Sequence, residues 1–159
     1  MNFYTVGVYN SSEQDFFNKL FKNQIDMFCD IRQRRGVRGA KYAFVNSRRL
    51  QKRLAEIGID YLHILDLAPP KDIRSLQSEA DRKSKVLKRS RNCLSQRFVE
   101  EYKAQVLDYF SFDDLLNLLQ SRGATRVALF CVEEHPAACH RSLVGNVLKG
   151  EYEMPVMEL

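Results

Sequence analysis

Short β-branched and aromatic runs alternate with segments of helical period along this chain. That alternation restricts its fold more than any other feature. Residues 3–8 (FYTVGV), 25–30, 60–65 and 126–131 read as strands. Between them, Ser11 or Ser12 caps a helix whose apolar face is Phe16, Phe17, Leu20 and Phe21. Asn46 is placed to cap a second helix with the stripe Leu50, Leu54 and Ile57, ended by Gly58. Ser111 opens another, with Leu115, Leu116 and Leu119 ahead of Gly123, and a last helix is expected near 138–149. Strand–helix alternation is the pattern of βαβ units, whose crossovers force neighbouring strands parallel. The expected fold class is therefore α/β: one domain over residues 1–159, a mainly parallel, Rossmann-like sheet of four to five strands, and helices on both faces. The tail MPVMEL offers the last strand, and Gly7 marks a place where backbone approaches another group closely. Residues 31–45 read as an Arg- and Gly-rich loop. The pattern breaks at 71–92, so a basic helical or loop insertion is expected at about 71–110, with helical spacing restored by Leu94, Phe98, Tyr102 and Val106.

The net charge of +5 is unevenly placed. Residues 31–55 hold nine Lys or Arg and no acid, and RKSKVLKRSR at 82–91 holds six and no acid. Such clustering suits a polyanion, nucleic acid above all, while the plainer reading is a pair of solvated basic faces. Lys83, Lys85, Lys88, Arg89 and Arg91 are the candidate nucleic-acid contacts. No RNP motif, GXXG clamp or recognisable helix-turn-helix marks a standard nucleic-acid reader. The opening MNFYTVGVYNSSEQ lacks the basic and long apolar regions of a signal peptide, and runs such as VALFCV are too short to span a bilayer. A cytoplasmic location, no membrane association and four reduced cysteines are the expectations. Oligomeric state is left open.

LFCVEEHPAACHRSLVGNVL, residues 129–148, is the segment richest in chemistry. It reads as strand, loop and helix, which puts the loop at the carboxyl end of a parallel sheet, where open α/β folds bind ligands. The helix start supplies unpaired N–H groups that favour an anion. On a helix, Leu143, Val144, Val147 and Leu148 define the buried stripe. His140 then points at the upper edge of the sheet, with Cys139 and Arg141 flanking it, Arg141 as a lip residue. Those directions disfavour an adjacent Cys–His catalytic pair.

Three functional readings follow. Cys139 is an activated thiolate; Cys131, His135, Cys139 and His140 ligate a metal; or Arg141 and the helix start hold a phosphate or carboxylate while Glu133 or His140 handles a proton. The ligand types suit zinc, but their spacing matches no standard site, so no metal and no cofactor are expected. The ordinary alternative is a small buried Cys, a hydrogen-bonded His and an Arg paired with Glu. A second constellation, Asp30-Ile-Arg32, closes the second strand. The strand ends would bring Tyr9, Asn10, Asp30, Arg32, Asp66 and Glu133 to one lip, where an ion pair is the commonest fate of Asp30. His63 reads as a satisfied core or edge histidine.

TVG at 5–7, DIR at 30–32, RGVRGAKYAFVNSRRLQ at 35–51, GIDYLHILDLAP at 58–69 and CVEEHPAACHR at 131–141 resemble the uncharacterised prokaryotic family called domain of unknown function 488. The resemblance covers almost the whole chain. Its paired elements, D-[IV]-R and C-x-E-x5-C-H-R, fall on Asp30, Arg32, Cys131, Glu133, Cys139, His140 and Arg141. Many relatives read TIGHS near the start where this chain has TVGVY. The resemblance implies a compact α/β fold and no settled activity.

The leading expectation is an anion-accepting cleft that binds or acts on nucleic acid or a nucleotide-like, phosphorylated small molecule. Glu133, Cys139 and His140 are its tentative catalytic residues, and Asp30, Arg32, Arg38 and Arg141 its ligand-binding residues. The Arg-rich loop 32–41 would close over it. The alternatives are a non-catalytic nucleic-acid-binding module, and a thiol-based enzyme or redox sensor built on Cys139.

Overall fold

The computed structural model describes residues 1–87 and 90–159. Five strands, β1 (Asn2–Val6), β2 (Met27–Asp30), β3 (Asp60–His63), β4 (Arg126–Phe130) and β5 (Val156–Glu158), form one sheet in the order β3-β2-β4-β1-β5. Every pairing is parallel. The expected strands are all present, and Val156–Glu158 supplies the tail strand.

Side chains alternate along each strand and so feed two cores. Tyr4, Phe28, Ala128 and Phe130 meet α1 (Glu13–Lys22) and α2 (Ser47–Glu56) on one face, through Phe16, Leu20, Leu50 and Leu54. Phe3, Met27, Cys29, Val127 and Leu129 face the other core, with α3 (Lys71–Lys83), α4 (Gln96–Gln105), α5 (Phe112–Ser121) and α6 (His140–Gly150). Ser12 and Ser111 cap their helices by accepting the N–H of Asp15 and Asp114. Asn46 begins α2 without a side-chain cap; its Oδ1 instead accepts the Val37 N–H at 2.6 Å and pins the Arg-rich loop.

The 71–92 break contains a helix that periodicity missed. α3 starts directly after Pro70, and only Ile73 and Gln77 are buried along it, so there is little apolar stripe to read. Helices α3 and α4 belong to the β3-to-β4 crossover, and Ile73, Phe98 and Tyr102 are core residues.

One consequence of this topology positions the site. β2 leads to α2 on one face and β4 leads to α6 on the other, although the two strands are neighbours. Their carboxyl ends therefore diverge and leave a crevice, the switch point at which open parallel sheets place ligands.

Candidate functional site

A cavity of about 530 Å³ opens at this crevice. Its walls come from the loop after β2 (Arg32, Arg34, Arg38), from α3 (Arg74, Asp81), from Arg91, Leu94 and Phe98, and from the loop after β4 (Cys131, Glu133, Cys139, His140). Among the described residues, five arginines and only two carboxylates line it.

At the β2 end, Asp30 and Arg32 grip each other. Arg32 Nε donates to Asp30 Oδ1 at 2.8 Å and Nη2 to Oδ2 at 2.7 Å. The Arg32 backbone N–H and the Tyr61 hydroxyl complete the shell of the carboxylate. Burial and the Asp30 charge push the Tyr61 hydroxyl up to about 12, so it stays a donor. Asp30 is fully buried and off the cavity wall, where it sets the orientation of Arg32. The Arg32 guanidinium also donates to the Val45 carbonyl and lies 4.5 Å over the Phe130 ring. Its Nη1 is buried with no partner among the described residues, and so is Arg74 Nε.

At the β4 end, His140 Nε2 lies 2.9 Å from the Ile31 carbonyl. A carbonyl only accepts, so Nε2 carries the proton and the Nδ1 lone pair faces inward. It faces two sulfurs, Cys139 Sγ at 3.7 Å and Cys131 Sγ at 3.8 Å. The Cys131 thiol donates to Glu133 Oε2 at 3.2 Å. Its hydrogen bond with Cys139, and then burial, hold its pKa well above the ordinary thiol value. Burial opposes protonation of His140, yet the Cys131 sulfur and the Ile31 carbonyl outweigh it and raise the imidazole pKa. Tyr102 packs edge-on against the ring and donates to the Leu67 carbonyl, which holds the imidazole in place.

Several expectations need correction. Cys139 and His140 do meet, because Cys139 precedes the helix with extended backbone (φ −139°, ψ 143°), so helical directions do not apply to it. Arg141 is 1% exposed and is no lip residue. Its Nη1 and Nη2 donate to the carbonyls of Glu133 and Glu134, at 2.5 and 2.7 Å, and bracket the loop from behind. Gly7 makes the same bracket possible: a Cβ there would sit 2.0 Å from the Glu133 carbonyl oxygen. Asp66 does not share the lip with Asp30 but lines a second cavity beside β3. His63, on the edge strand β3, bonds the Arg32 carbonyl.

Arg91, expected on an exposed basic face, turns inward. It pairs with Asp81 at 2.9 Å and Glu133 at 3.3 Å and donates to the Ala138 carbonyl. It thereby ties the crossover segment to the loop after β4 across the cavity. Lys83 and Lys85 are exposed, Lys83 pairing with Glu79; Lys88 and Arg89 lie outside the described residues. Arg38 is exposed at the cavity rim. His135 stays at the surface, away from Cys131 and Cys139. Sequence reasoning passed over Arg74 and Arg91 as cleft residues. Pro69 and Pro70, turning the chain back after β3, were the signal that α3 returns toward the strand ends.

Among the described residues, no helix is long and apolar enough to cross a membrane. No curated protein and no solved structure matches the chain significantly. A family model does match, over residues 12–148, a span that includes both strand-end constellations: the chain belongs to the DUF488 family, a domain of unknown function.

Proposed function

We propose that the cleft between the β2 and β4 ends binds an anionic small molecule of nucleotide-like build. The observation that carries this reading is a pair of buried guanidinium N–H groups without a partner among the described residues, Arg32 Nη1 and Arg74 Nε, on residues that line one cavity. A buried donor without an acceptor costs about 1–3 kcal/mol, and a bound phosphate or carboxylate oxygen recovers it. Both carboxylates of the wall already engage Arg91, so neither cancels the charge of Arg74, while Arg32 is balanced by Asp30 and offers its remaining Nη1 hydrogens. Arg34 and Arg38 at the exposed rim steer an anion inward. Val37, Leu94, Phe98 and Val132 give the remaining wall an apolar character suited to a ring.

Nucleic acid is the second reading. It draws on the exposed Lys83 and Lys85 beside the cleft rather than on the cleft itself.

Calorimetric titration of the full chain with AMP, GMP and inorganic phosphate at low salt tests both. The cleft reading expects saturable mononucleotide or phosphate binding, weakened at least about tenfold in Arg74→Met through loss of one charge-assisted bond. No binding of any of the three, or binding indifferent to Arg74, rejects it. Oligonucleotide binding with a steep salt slope, lost on neutralising Lys83 and Lys85 alone, establishes the surface reading instead.

A further inference from the structure

The β4 end of the cleft holds a cluster that anion binding does not use. Cys131 Sγ, Cys139 Sγ and His140 Nδ1 all lie within 4.8 Å of one another, and all three residues are buried. Each is fixed by a different device. Cys131 follows the last residue of β4 and is tied to Glu133; Cys139 is the extended residue before α6; His140 is held by the Ile31 carbonyl.

We propose that Cys131, Cys139 and His140 form a binding site for a thiophilic divalent ion of the zinc class, with its fourth position open to the cleft. Four features of the geometry carry this. First, His140 has the form of a metal-binding histidine: one ring nitrogen donates to a backbone carbonyl and the other presents its lone pair. Second, that single lone pair faces two sulfurs at once, 3.7 and 3.8 Å away. One ion placed between them is within reach of all three groups. Third, the spacing is nearly that of a tetrahedral site. Zinc–sulfur and zinc–nitrogen bonds of roughly 2.3 and 2.05 Å put sulfur and nitrogen about 3.6 Å apart. Fourth, the ligand number is three. The Glu133 carboxylate does not complete the set, being outside the cluster and held by Arg91. Cys131, Cys139 and His140 all line the cavity, so the open position faces whatever ligand the cleft takes. Three protein ligands and one free position are the arrangement of reactive zinc rather than structural zinc.

Sequence spacing argued against a metal because the ligand set it weighed included His135. The proposed site needs only Cys131, Cys139 and His140, and the extended backbone at Cys139 brings its sulfur to His140.

The test is optical and uses cobalt(II) added alone to metal-free full-length protein kept reduced. The expected result is saturation at one equivalent, with sulfur-to-cobalt charge transfer in the near ultraviolet and the strong visible bands of a four-coordinate ion. Cys131→Ser and Cys139→Ser should each weaken the charge-transfer band and lower affinity by roughly a hundredfold or more, a larger loss than for an outer-shell partner. Cys93→Ser, altering the exposed cysteine, should change nothing. The wild-type spectrum decides even where a ligand variant fails to fold. Only the weak spectrum of hydrated cobalt, or a charge-transfer band that Cys93→Ser abolishes, overturns the site.

Discussion

Two cavities of nearly equal size lie at the carboxyl end of the sheet, and they are built differently. The cleft between the β2 and β4 ends is about 530 Å³; the groove beside β3 is about 550 Å³. The cleft gathers five arginines, two cysteines and a histidine from three parts of the chain. The groove is lined by leucines and aromatic side chains with Asp66 and Asp114, and no Lys or Arg among the described residues reaches it. Volume therefore does not distinguish the two. Convergent, desolvated donors do, and the cleft has them because β2 and β4 send their chains to opposite faces. The groove lies beside the edge strand, where no second strand end contributes.

The comparison breaks most visibly at Arg141. This residue holds the wall of the cleft by donating to the buried Glu133 carbonyl and the part-buried Glu134 carbonyl, and it has no counterpart among the described residues of the groove. Arg141→Ala leaves both carbonyls short of a donor and empties a large buried volume. Urea unfolding should show a loss of about 3–5 kcal/mol. Tyr109→Ala in the groove, where Tyr109 is 85% exposed, should stay within about 0.5 kcal/mol. Equal losses would mean the cleft wall is no more rigid than the groove.

Gly7→Ala pushes on the same bracket from the other side. The added methyl meets the Glu133 carbonyl, backbone that cannot rotate away. A loss of about 1–3 kcal/mol is expected by the same measurement. A neutral result would show that the loop after β4 can shift.

Arg74→Met sharpens the contrast in the opposite sense. Its Nε has no partner to lose among the described residues, so stability should change by less than about 1 kcal/mol while nucleotide affinity falls about tenfold. Stability lost in full together with affinity would make Arg74 structural.

The gentlest probe leaves the sequence untouched. Thiol labelling at pH 8 should find one fast cysteine, the exposed Cys93. Cys29, whose pKa burial pushes up to about 12, and Cys131, whose pKa is also raised, hold almost no thiolate at that pH. Their labelling should await opening of the fold, and a second fast site among them would show the interior is accessible.

The layered fold was legible because apolar runs such as VALF and stripes such as Leu50–Leu54 carry their own periods. Strand order was not, since nothing local states that β4 inserts between β2 and β1. At the site, the loop after β4 was legible as lying at the carboxyl end of the sheet, and Asp30 and Arg32 as one constellation at the end of β2. The roles of Arg91 and Arg141 were not. Arg91 looked like one charge in a basic run, yet its partners Asp81, Glu133 and Ala138 lie 10, 42 and 47 residues away. Arg141 looked like a lip residue because helix geometry gives a direction from the axis without saying what covers it. The Cys139–His140 contact escaped for a smaller reason: one residue of extended backbone at a helix start.

Anion binding in the crevice between β2 and β4 through Arg32 and Arg74 can be seen in crystals soaked in selenate, with data collected at the selenium absorption edge. The strongest anomalous peak is expected inside the cleft, within hydrogen-bonding distance of Arg32 Nη1 or Arg74 Nε. Peaks confined to exposed residues such as Lys83 and Lys85, with the cleft empty at saturating selenate, would contradict it.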